Sequence, residues 1–143
     1  LNVPDVTRTP KFMQAMSVAQ LLDPVGAAEV QRVVARWVTL FNTQLKTRLT
    51  VQSRVAVVDF YTELNQWLNT PGAYGLTNTI KPACPGSIAT CTDASLRATP
   101  PAGETGPDWW KTYVFADNFH GTPRTNELMG AVVVKAVEAK GWK

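Results

Sequence analysis

The octapeptide Ser53-Arg54-Val55-Ala56-Val57-Val58-Asp59-Phe60 holds four small or β-branched apolar residues in a row with no apolar/polar alternation. Such a run suits a strand covered on both faces, which is the habit of a central parallel strand in an α/β sheet. Outward from it the pattern turns helical. Tyr61, Leu64 and Leu68 recur at helical spacing, and Thr70-Pro71-Gly72 stops that run. Asp59 stands where open α/β sheets place ligands, but it also precedes a helix, and the helix-cap reading is preferred. On the other side, Asp23-Pro24 reads as an N-cap followed by proline at the first helical position. The helix it opens carries Val30, Val33, Val34, Trp37, Val38, Phe41, Leu45 and Leu49 as one stripe over about seven turns. Arg32, Arg36, Lys46 and Arg48 lie mainly off that stripe, as a solvated face. Phe12, Met13, Met16, Ala19 and Leu22 predict a shorter helix before Pro24, and Leu1 to Val6 reads as the frayed end of a strand. The expected class is therefore α/β with a parallel sheet.

The 143 residues suffice for one domain, since a chain of this length buries about 68–70% of its unfolded surface. Apolar residues at 45% and charged residues at 17% fit a globular protein and argue against disorder. The net charge of +3 is carried by scattered lysines and arginines with no cluster interleaved with aromatics, which argues against nucleic acid as a partner. No apolar run approaches the roughly 18 residues of a membrane span, and the N-terminus lacks the charged and apolar regions of a signal peptide. The start at Leu1 rather than methionine implies an N-terminus made after translation or by engineering of the gene.

Gly72 to Lys111 is long and rich in Gly, Pro, Ser and Thr, and uncommitted loops of this length are often binding loops. Cys84 and Cys91 both lie in it. Metal binding would want more ligands than these two, so a short-loop disulfide is preferred to a pair of free thiols, and no metal is expected. The loop ends in Asp108-Trp109-Trp110. Adjacent tryptophans either line an acyl or sugar pocket or plug a loop onto the core. Both readings stand, and their place just ahead of the chemistry below makes Trp109 and Trp110 the substrate-binding candidates.

That chemistry sits in Phe115-Ala116-Asp117-Asn118-Phe119-His120-Gly121-Thr122-Pro123, which holds the only histidine of the chain. Asp-x-x-His at an entry to a helix lets the carboxylate accept a hydrogen bond from one ring nitrogen while the other stays free. Those are two members of a nucleophilic triad. Pro123 then opens a helix through about Ala139, with Leu128, Ala131, Val132, Val134 and Val137 facing inward.

The tail TYVFADNFHGTPRTNELMGAVVVKAVEAKGW resembles the last block of the GDSL esterases, or SGNH hydrolases, whose secreted bacterial branch reads roughly Phe-Ala-Asp-x-x-His-Pro-Thr before a helix. LNVPDVTRTP and VVDFYTELNQWLNTPGAYGLTNTIKPAC fit the same branch in the same order. The resemblance implies a flavodoxin-like three-layer α/β/α fold and carboxylic-ester hydrolysis through a serine acyl-enzyme. Asp117 and His120 would be the acid and base, with no cofactor, in a secreted or periplasmic protein. Gly121 departs from the family's proline, and Asn126 stands where a second histidine is common. The Gly-Asp-Ser-Leu nucleophile turn and the oxyanion-hole glycine and asparagine are absent. Ser17, Ser53, Ser87 and Ser95 have no comparable setting. Residues 1–143 are thus expected to be the C-terminal portion of a single SGNH-hydrolase domain. The expected partners are an N-terminal fragment bearing Ser, Gly and Asn, and an ester or lipid substrate. Acyl transfer through the same intermediate is the alternative chemistry, and a binding or structural module with a vestigial dyad is the alternative class.

Overall fold

A computed structural model describes residues 1–142 apart from Pro85, Ser87, Ile88 and Thr90. Among the described residues five α-helices follow one another: α1 (Pro10–Leu22), α2 (Pro24–Leu49), α3 (Phe60–Asn69), α4 (Asp93–Ala98) and α5 (Pro123–Glu138). Short 3-10 turns cover Val6–Arg8, Pro71–Tyr74 and Trp109–Thr112. The helix starts obey local chemistry. Side chains of Thr9, Asp23, Asp59, Thr92 and Thr122 each accept a backbone N–H in the first turn of the helix that follows. Proline stands in the first turn of α1, α2 and α5, where its missing N–H costs nothing.

The expected parallel-sheet α/β/α fold is corrected. The chain is 60% helical, and the described residues form no sheet. Their β-pairing is limited to two isolated bridges, Asn78 with Tyr113 in parallel sense and Phe115 with Gly121 in antiparallel sense. Val55 to Val58 runs without regular structure, and Asn2 N–H donates to the Val58 carbonyl at 3.0 Å. A β-branched run becomes a strand only when neighbours on its edges take up its N–H and C=O groups along the whole length. Asn2 supplies one such bond, and the ladder goes no further. Asp59 is the N-cap of α3, as preferred from the sequence, and also accepts Asn2 Nδ2 at 2.8 Å. Burial pushes its carboxyl up, and the Asn2 and Thr62 hydrogen bonds outweigh that and hold it below its ordinary value.

One apolar cluster joins α3 and α5 to the chain ahead of the histidine: Leu64, Trp67 and Leu68 pack with Leu76, Val114 and Phe115, flanked by Leu128, Met129 and Val132. A second gathers Ala83, Leu96 and Trp109 of the long loop with Tyr113 just beyond it. That segment is not uncommitted: it contains α4, opened by a reciprocal Thr92–Ser95 capping box. The long stripe of α2 is covered only in part. Val38 is buried, whereas Trp37 is 66% exposed and Phe41 53%. Helix α2 packs on α1 and the Val6–Arg8 turn. No helix among the described residues is long and apolar enough to cross a membrane.

Candidate functional site

Val114, fully buried, anchors the segment that carries the dyad. Its N–H donates to the Asn78 carbonyl at 2.8 Å, and its carbonyl accepts from Thr125 Oγ1 at 2.7 Å and Thr122 N at 3.2 Å. The buried Thr122 hydroxyl donates to the Tyr113 carbonyl and caps α5 through Thr125 N. Phe115 and Ala116 carbonyls are taken up by the N–H groups of Ala83 and Cys84, at 2.9 and 2.7 Å. The chain then reverses, and Ala116 N–H donates to the His120 carbonyl at 2.7 Å.

Inside that reversal Asp117 does two things. Its Oδ1 accepts the N–H groups of Phe119 and His120, at 2.8 and 2.7 Å, which fixes the turn. Its Oδ2 lies 2.8 Å from His120 Nδ1. The Asp117 side chain is 11% exposed and that of His120 65%. Burial pushes the Asp117 carboxyl up; the two backbone N–H groups and the imidazole outweigh it and hold the group below its ordinary value. An ionised Asp117 selects the tautomer with the proton on Nδ1. His120 Nε2 is then left as a base, with no hydrogen-bond partner among the described residues.

Gly121 has a steric reason here. A Cβ at that position would come within 2.9 Å of Thr125 Cγ2, so the bridge to Phe115 needs a residue without a side chain. Asn126 donates to the Gly121 carbonyl at 3.3 Å. Thr122 and Thr125, which brace the turn from below, were not legible as site residues; a Thr-Pro pair at a helix start signals a cap but not a buried hydroxyl.

The two tryptophans part company. Trp109 is buried, stands edge-on to Tyr113 with ring centres 5.1 Å apart, and donates Nε1 to the Leu96 carbonyl at 2.8 Å. It plugs the loop and walls a cavity of about 540 Å³. Trp110 is half-buried, with Lys111 Nζ 5.6 Å from its ring centre, and its Nε1 is buried with no hydrogen-bond partner among the described residues. It walls a cavity of about 220 Å³ that also touches Ala116 and Gly121. Cys84 and Cys91 form a disulfide, with Cα atoms 6.1 Å apart. Ser17 donates to the Gln14 carbonyl, Ser95 belongs to the α4 cap and Ser53 lies in an exposed turn; Ser87 falls outside the described residues. No group of three or more His, Cys, Asp or Glu among the described residues could hold a metal ion.

No family model matches this chain, and no solved structure does. The chain is similar to the anther-specific proline-rich protein APG of Arabidopsis thaliana, at 28% identity over 106 residues. The match covers 67% of this chain and 18% of that protein. This chain thus spans under a fifth of the relative's length.

Proposed function

We propose that this chain supplies the acid–base half of a serine esterase of the GDSL type. The observation that carries the reading is the dyad: Asp117 Oδ2 at 2.8 Å from His120 Nδ1, with Nε2 free on an exposed ring. In the proposed reaction Nε2 takes the proton of a serine hydroxyl as its oxygen attacks the ester carbonyl. Asp117 stabilises the imidazolium, and Nε2 returns the proton to the departing alcohol. Water attacks the acyl-enzyme by the same route in reverse, or a second alcohol does so, which would make the enzyme an acyltransferase.

The serine and the oxyanion donors come, in this reading, from a second polypeptide segment. Two observations support it. His120 Nε2 has no serine partner among the described residues, and large apolar side chains stand uncovered: Leu21 and Leu22 on α1, and Val30, Trp37, Leu40 and Phe41 on α2. An apolar surface of that extent is the mark of an interaction site. The disulfide supports an oxidising, extracytoplasmic setting.

The test uses material from the producing cell, treated with a fluorophosphonate that labels activated serines. The label should land on a serine of an accompanying segment, and His120→Ala should abolish both labelling and hydrolysis of a short-chain ester. Unchanged hydrolysis in His120→Ala would remove the dyad from the mechanism, and the absence of any labelled serine would favour a non-catalytic module.

A further inference from the structure

We infer that the cavity of about 540 Å³ beside Trp109 is a second ligand site, built for a small zwitterion of the amino-acid type. The ammonium group of the ligand meets Glu104, its carboxylate meets Lys81, and its apolar body lies against Leu96 and Trp109. The inference stands apart from the esterase reading, because no residue from Val114 to Pro123 lines this cavity.

The segment that carries Glu104 is a closed loop. Trp109 Nε1 donates to the Leu96 carbonyl at 2.8 Å, and Arg97 Nη2 lies 3.1 Å from Asp108 Oδ1, so the two ends of residues 97–108 are tied together. Gly103 and Gly106 flank Glu104 with φ of +92° and +91°, a region that L side chains rarely adopt, and let the chain turn on both sides of it. From Arg97 to Asp108 every residue is exposed except Glu104, which is half-buried. Its Oε1 accepts the Tyr113 hydroxyl at 2.8 Å. Burial, then that carboxylate, push the phenol up to about 12, so the hydroxyl remains a donor. One neutral donor leaves most of the acceptor capacity of a carboxylate unused, and no cationic side chain among the described residues pairs with Glu104. A carboxylate drawn inward without a cation is the feature that asks for a cationic ligand.

Lys81 lines the same cavity. Its backbone N–H is fixed on Asn78 Oδ1 at 2.9 Å, while its exposed ammonium group makes no ion pair among the described residues. Two opposite charges therefore border one cavity without meeting each other. A simple cation would be repelled by Lys81 and a simple anion by Glu104, whereas a molecule carrying both charges is complementary to both. Between them the wall is the second apolar cluster, where the Trp109 and Tyr113 rings suit an aromatic or large aliphatic side chain. At about 30 Å³ for each nonhydrogen atom, the share of a liquid water, the cavity takes about eighteen, so a free aromatic amino acid fits whole.

The test takes the protein in the form isolated from the producing cell and titrates it by calorimetry with L-phenylalanine, phenethylamine and 3-phenylpropionate. L-Phenylalanine should bind about tenfold more tightly than 3-phenylpropionate, which lacks the ammonium group. It should bind about threefold more tightly than phenethylamine, which forgoes only the exposed Lys81. Glu104→Gln should weaken L-phenylalanine and phenethylamine about tenfold and spare 3-phenylpropionate, and Lys81→Met should bring L-phenylalanine down to the level of phenethylamine. Equal affinity for all three ligands, or L-phenylalanine binding unchanged in Glu104→Gln, overturns the proposal. If Glu104→Gln loses every ligand, Glu104→Asp decides: recovered L-phenylalanine binding supports the site, and continued loss overturns it. His120→Ala should bind L-phenylalanine as the unaltered protein does; a fall there would put the ligand at the dyad and overturn a second site. Ester hydrolysis without L-phenylalanine binding sinks this cavity and leaves the esterase standing, and L-phenylalanine binding without hydrolysis does the reverse.

Discussion

Replacing Asp117 by asparagine exchanges one carboxylate oxygen for an NH2 group and keeps the shape. Oδ1 accepts two backbone N–H groups, at 2.8 and 2.7 Å, so the amide must keep its oxygen there; the reverse orientation would set donors against donors. The NH2 group then faces His120 Nδ1 and forces the ring to accept at that atom. The proton moves to Nε2, and the base disappears from the face where it is needed. A wrong tautomer in such a triad lowers kcat by about 10⁴, or about 5.4 kcal/mol in the barrier. Stability should fall less. The two backbone bonds go from charge-assisted to neutral at about 1 kcal/mol each, and the bond to the exposed imidazole adds little. The expected loss is about 2 kcal/mol at neutral pH. The sign of its pH dependence follows from Asp117 being held below its ordinary value: its stabilisation is present above the unfolded carboxylate range and is lost as pH falls through the lower folded value. Asp117→Asn should therefore unfold with a shallower acid limb. The tautomer is read directly from imidazole ¹⁵N shifts of the single histidine, on the chain by itself. An Asp117→Asn chain that still carries its proton on Nδ1 would refute the reasoning, whatever its turnover.

Reducing the Cys84–Cys91 bridge, which spans seven positions, should cost about 2–3 kcal/mol on the chain-entropy model, checked by urea unfolding with and without reductant. Thiol labelling of unfolded, unreduced protein should find neither cysteine free. Tyr113 donates its hydroxyl to Glu104 at 2.8 Å, and burial, then that carboxylate, push its phenol from 10.0 up to about 12. The raised value means stability present below pH 10.0 and lost as pH rises toward about 12, so Tyr113→Phe should flatten the alkaline limb of thermal unfolding. Thr122→Val removes the α5 cap and the donor to the buried Tyr113 carbonyl, for a loss of about 2–3 kcal/mol measured by denaturant midpoint. A loss below about 1 kcal/mol would show that the turn under the dyad is braced elsewhere.

The sequence by itself determined what depends on neighbours a few residues apart. Asp23-Pro24, Asp59 and Thr122-Pro123 open helices because a side-chain oxygen needs only the N–H groups of the next turn. The Asp117–His120 pair was legible for the same reason: three residues of separation and one tight turn bring Oδ2 to Nδ1 without help from distant chain. Tertiary structure decided the rest. Val55 to Val58 has the composition of a buried strand, but a strand is completed by edges that lie elsewhere, and here a single bond from distant chain, Asn2 N–H to the Val58 carbonyl, reaches it. The stripe of α2 has the spacing of a core face, yet burial is set by what packs against it, and Trp37 and Phe41 are left uncovered while Val38 is not. Trp109 and Trp110 are identical in type and adjacent in sequence. Only the packing of Leu96 and Tyr113 makes the first a buried plug, while the second lies half-buried at the edge of the same cluster.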